Sequence, residues 1–122
     1  MSDENSLIVY LSDHGENIYE QNGLIGHNIN TRFTYEIPLL FIASKSFIAD
    51  HAELWRRIGA AKDEPFMSDN LAHVLADILG IEPLQFNVRK SPLRDEFDAS
   101  RRRMTNGVDY DENLKGRGGY GR

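Results

Sequence analysis

The chain has 122 residues, 40% hydrophobic and 27% charged, which is the length of one ordinary domain with enough apolar content for a core. Its formal charge of −5 is uneven: residues 1–88 hold five basic and 13 acidic side chains, residues 89–122 nine and six. An acidic body argues against nucleic acid as the main partner, and the lack of cysteine excludes disulfides, thiolate metal sites and cysteine nucleophiles. Leu7–Leu11 reads LIVYL, an unbroken apolar run that predicts a strand buried on both faces, as in a parallel sheet covered by helices. It stops at Ser12-Asp13-His14-Gly15-Glu16, where glycine permits a turn. Residues 15–35 are polar and contain Gly23 and Gly26; they read as a long loop with at most a short helix. Glu36–Ala43 is a second apolar run, with Pro38 near its start, where a strand tolerates proline. Over Asp50–Ala61, Leu54, Trp55, Ile58 and Ala61 recur at helical spacing, with Arg56 and Arg57 on another face. In LAHVLADILGI the spacing predicts a further helix: Ser68 or Asp69 caps it, Leu71, Val74, Leu75, Ile78 and Leu79 form its stripe, and Gly80 ends it. Beyond Glu82 the anchors are Phe86, Val88, Leu93 and Phe97, and the Gly-rich, charged stretch 112–122 predicts a frayed end. Strand, loop, strand, helix, helix is α/β order. Two apolar strands make a thin sheet that wants neighbours.

Asp13 and His14 carry the sharpest chemical signal. They sit at the carboxyl end of a predicted buried strand, the edge where open sheets gather ligands, and a carboxylate with a neutral imidazole suits a divalent metal such as zinc. Turns also use Asp and Gly for backbone reasons, so the three residues Asp13-His14-Gly15 alone leave both readings open. His27, thirteen residues beyond His14 in Gly26-His27-Asn28, is a surface histidine or a loop ligand that closes over a metal or oxyanion. Glu16 stands where a carboxylate can orient a metal-bound imidazole, or is a plain turn residue. His51, at a helix start, and His73, inside an amphipathic helix, read as structural.

The run LIVYLSDHGE, then GHN in a polar loop, then TRFTYEIPLLFIAS and FMSDNLAHVLADILGI, resembles the C-terminal portion of the phosphoethanolamine transferases. These enzymes belong to the alkaline phosphatase and sulfatase superfamily. The likeness covers residues 6–81, and more loosely a tail ending at Asn106–Asp111. It implies a partial alkaline-phosphatase-like α/β sandwich over residues 1–88, a mainly parallel sheet with flanking helices. A basic, Gly-rich tail, partly ordered at most, would follow over 89–122. It further implies that Asp13 and His14 bind zinc or another divalent metal, and that His27 contacts the transferred phosphoryl group or a second metal. In such enzymes a threonine attacks a phospholipid head group, and the phosphoethanolamine then passes to a sugar acceptor.

The chain departs from that pattern at the nucleophile, which in the family precedes the SDHGE strand. Thr31, Thr34 and Thr105 all follow it, so none matches. The expectation is therefore a C-terminal piece that lacks the catalytic threonine, needs the missing N-terminal part of its domain, and self-associates through exposed strands. The full-length enzyme would sit in the inner membrane with a periplasm-facing domain. No apolar run here approaches the roughly 18 residues that span a bilayer, and the acidic start has no signal-peptide pattern. A sulfatase or phosphoglycerol transferase of the same superfamily, or a non-catalytic binding module, are the alternatives.

Overall fold

The protein is described from a computed structural model, which covers residues 4–21 and 23–116. The chain divides into two compact units, Met1–Leu7 with Ala43–Arg101, and Ile8–Ile42 with Arg102–Arg122. Residues 89–101 belong to the first unit and 102–116 to the second.

Strands β1 (Leu7–Leu11) and β4 (Leu39–Ala43) form a two-stranded sheet. Past the end of β1, the Gly15 amide donates to the Thr34 carbonyl ahead of β4; before β1, the Ser6 carbonyl accepts from the Ser44 amide beyond β4. These contacts require the two strands to run antiparallel, where the sequence predicts a parallel pair. The reason lies in the connection. A parallel return needs a long crossover, usually a helix, whereas residues 12–38 hold a hairpin and the one-turn helix α1 (Arg32–Tyr35). Burial on both faces is not observed either, since both strands alternate half-buried with exposed residues.

The polar stretch after β1 contains structure that its sequence hides. Strands β2 (Asn17–Ile18) and β3 (Ile25–Gly26) pair antiparallel with Asn17 opposite Gly26. The fully buried Asn17 amide ties the turn, donating to the carbonyls of Gln21 at 3.1 Å and Leu24 at 2.6 Å. Later in this unit β5 (Met104–Thr105) and β6 (Val108–Asp109) form a hairpin. Its turn residues Asn106 and Gly107 adopt φ of 45° and 75°, the left-handed geometry for which Asn-Gly is selected. Asn106 donates to the Tyr35 hydroxyl at 2.9 Å, and Tyr110 donates to Glu36 at 2.6 Å. Burial and then the Glu36 carboxylate push the Tyr110 hydroxyl up to about 12. Helix α5 (Tyr110–Asn113) starts on Asp109, and Leu114 is buried, so the expected fraying does not reach 112–114. The rest of the predicted frayed end, 117–122, lies outside the described residues.

Asp109 provides a test of this hairpin. Its carboxylate accepts from Arg102 Nε at 2.8 Å and from the Glu112 amide at 3.2 Å, and these bonds, Arg102 first, hold its pKa below the usual range. A depressed folded value means that this support is complete above the unfolded value of about 3.9 and fades as pH falls through the folded one. Acidification below about pH 4 is expected to release the amides of residues 110–113 to hydrogen exchange before those of 74–79. In Asp109→Asn those amides should exchange alike on both sides of that step.

The other unit is helical. Ser44 caps α2 (Lys45–Asp50) by accepting from the Phe47 amide at 3.1 Å; this helix leads into α3 (Ala52–Ala60). Helix α4 (Leu71–Leu79) ends at Gly80 with φ 65°, the left-handed stop its glycine predicts. Neither Ser68 nor Asp69 caps α4. They lie in a 3-10 turn, Ser68–Asn70, and Asp69 instead pairs with Lys90 at 3.3 Å and Arg101 at 2.7 Å. Phe47, Ile58, Val74, Ala76 and Leu93 form the buried core, while Leu79, predicted in the stripe, is 68% exposed, because it falls in the last turn. Arg57 donates to the Leu93 carbonyl at 2.6 Å and Asn70 to the Lys90 carbonyl at 2.8 Å, which fastens residues 90–93 to the helices. No helix among the described residues is long and apolar enough to cross a membrane.

Candidate metal centre

Asp13 and His14 lie just past β1, after Ser12, and two local features set their geometry. Gly15 passes so close to α1 that a Cβ there would lie 2.0 Å from the Phe33 carbonyl oxygen, so the chain turns tightly after His14. The His14 imidazole then reaches the Gly15 carbonyl, with Nδ1 at 2.8 Å. A carbonyl only accepts, so Nδ1 donates to it and Nε2 is the ring nitrogen left for a ligand. That free nitrogen is 3.9 Å from Asp13 Oδ2.

The β2–β3 hairpin brings in the remaining groups. Because Asn17 faces Gly26, Glu16 and His27 stand one step outside the hairpin, side by side. His27 Nδ1 is 3.1 Å from Glu16 Oε2, and the His27 ring stacks on His14 with centroids 4.3 Å apart and planes at 28°. One ligand atom from each of His14, Glu16 and His27 lies within 4.8 Å of the others. Donors about 2.1 Å from a tetrahedral ion stand roughly 3.4 Å apart. The 3.9 Å between Asp13 Oδ2 and His14 Nε2 is close to that spacing. The four groups offer only nitrogen and carboxylate oxygen, a set that fits zinc. All four residues are exposed, so an ion has access from solvent.

The other candidates are occupied elsewhere. The His51 ring packs on Phe47 at 4.6 Å, and His73 Nδ1 accepts from the Asn87 amide at 3.2 Å. Thr31 and Thr34 are buried, and the Thr34 hydroxyl lies 2.7 Å from the carbonyls of both Ile29 and Thr31, so it serves the α1 turn. Thr105 is part of β5.

The sequence model of the sulfatase family matches residues 1–81. The chain belongs to the sulfatase family. Its relatives are phosphoethanolamine transferases: EptC of Escherichia coli O18:K1:H7 is 28% identical over 90% of this chain, and CptA of Salmonella typhimurium is likewise 28% identical over 90%. The chain spans about a fifth of the length of these curated relatives. The crystal structure of the C-terminal periplasmic domain of Escherichia coli EptC superimposes with a TM-score of 0.77 at 26% identity, over 93% of this chain and 34% of that one. The same domain in complex with zinc gives 0.71 at 23% identity, over 94% and 34%. The likeness establishes an alkaline-phosphatase-like α/β fold, part of which this sulfatase-family chain supplies.

Proposed function

We propose that this chain forms the zinc-binding side of a phosphoethanolamine transferase active site. The whole enzyme moves a phosphoethanolamine group from a phospholipid donor to a sugar of lipopolysaccharide or another glycan, on the periplasmic face of the inner membrane. The observation that carries this reading is the cluster of His14, Glu16 and His27 beyond the end of β1, with Asp13 beside His14. Asp13 and His14 hold the metal. His27 presents Nε2 to a phosphoryl oxygen or a second metal, and Glu16 orients that ring through Nδ1. A bound zinc ion would neutralise charge on phosphoryl oxygens and lower the pKa of an attacking hydroxyl. That hydroxyl comes from another part of the enzyme, since Thr34 is engaged in α1 and neither Thr31 nor Thr105 matches the family's position.

Calorimetric titration with zinc tests the assignment. His14→Ala and Asp13→Asn are each expected to weaken binding more than tenfold, and Glu16→Gln about tenfold, the effect of losing a carboxylate that orients a ligand. His51→Ala and His73→Ala should leave affinity unchanged. Zinc binding that survives the combined Asp13→Asn/His14→Ala change would sink the reading.

A further inference from the structure

The contact of Glu16 with His27 rests on very little ladder. Strands β2 and β3 are two residues long each, and a two-stranded hairpin is marginal in water even when longer. The Asn17 side chain reinforces it. Its carboxamide is 0% exposed and donates to two carbonyls across the turn, those of Gln21 at 3.1 Å and Leu24 at 2.6 Å. Asn17 Oδ1 is buried without a partner among the described residues, so burial of this side chain is compensated through its N–H groups alone. A carboxylate of the same shape has no donor, and a serine hydroxyl has one donor on a shorter arm, so neither ties both carbonyls. Its place in the register matters as much. Asn17 pairs with Gly26, Glu16 precedes the one and His27 follows the other. The pair that Asn17 locks is therefore the last before the ligands. A slip of one residue there would turn a whole strand's side chains over and part Glu16 from His27.

We infer that Asn17 is a positioning residue of the metal centre, acting through the hairpin and not on the ion. Its carboxamide fixes the β2–β3 register. That register sets the Glu16 carboxylate against His27 Nδ1 and the His27 ring against His14. The effect on zinc rests on the zinc-binding reading, whereas the effect on the two rings does not.

Asn17→Ala in the 122-residue chain tests this with two readouts. Magnetic cross-relaxation between the ring protons of His14 and His27, whose centroids are 4.3 Å apart, is expected to disappear. That between His51 and Phe47 in the other unit, 4.6 Å apart, should stay. Zinc affinity should fall about tenfold, as for loss of a group that orients a ligand. Rescue separates register from packing. Ile18 and Ile25 are direct partners and more than half exposed, so Ile18→Cys with Ile25→Cys can close a disulfide across the hairpin in a chain without other cysteines. Added to Asn17→Ala and oxidised, this pair is expected to restore the ring contact and the parent zinc affinity. It also holds the hairpin shut if Asn17→Ala alone loosens its unit. A His14–His27 contact that persists in Asn17→Ala overturns the inference. So does its loss in the oxidised triple variant, or an unchanged zinc affinity once the contact is gone. A parent chain that binds no zinc but shows both ring results removes the zinc-binding reading and supports Asn17 as the residue that places His27.

Discussion

Gly15→Ala is expected to destabilise the protein by about 2–3 kcal/mol, the scale of forcing an extra carbon into a packed site. The added Cβ would lie 2.0 Å from the Phe33 carbonyl oxygen and 3.1 Å from that of Glu36. Both neighbours are backbone, so no side chain can swing aside, and α1 would have to move. That movement would break the 3.0 Å bond from the Gly15 amide to the Thr34 carbonyl. It would also disturb the Gly15 carbonyl that holds the His14 ring. Stability and zinc affinity should therefore fall together. Gly59→Ala is the internal control: it lies in α3 with nothing within 4 Å of its missing Cβ, and should gain about 0.5–1 kcal/mol. Urea unfolding of the two variants decides the matter. Equal midpoints for Gly15→Ala and the parent would contradict the close approach of Gly15 to α1.

The contrast between those glycines shows what can be read from the chain alone. Gly80 is legible because it follows a helical apolar period and stops it. Gly15 announces a turn, but its contact with Phe33 depends on how residues 12–38 fold back, which no local pattern encodes. The same division runs through the metal centre. Asp13 and His14 are legible as a pair delivered by an apolar strand, whereas the partnership of Glu16 with His27 arises from the register of a hairpin whose strands are two residues long, too short to show alternation. The β5–β6 turn did carry a readable signal, Asn106-Gly107. Continuous hydrophobicity in LIVYL and PLLFIA misled on the direction of this pair, because an apolar run is silent about which neighbour comes next.

Arg94→Ala is expected to cost about 3–5 kcal/mol, because it strands a charge inside the helical unit. The Asp77 side chain on α4 is 1% exposed and meets Arg94 at 2.5 Å, while Arg94 itself is 34% exposed. The second Asp77 oxygen is buried without a partner among the described residues, so Arg94 is the main compensation for that carboxylate. Glu82, 3.9 Å from the guanidinium and largely exposed, adds little. The guanidinium also lies 5.6 Å from the centre of the Phe86 ring, so Arg94→Lys should recover only part of the loss: the ammonium lacks the planar fork. The decisive comparison is Asp77→Leu with Arg94→Met. Removing both charges removes the uncompensated carboxylate, and the double variant should unfold close to the parent. If the single and double changes destabilise equally in urea, the cost comes from lost packing around Phe86 and not from a buried charge left alone.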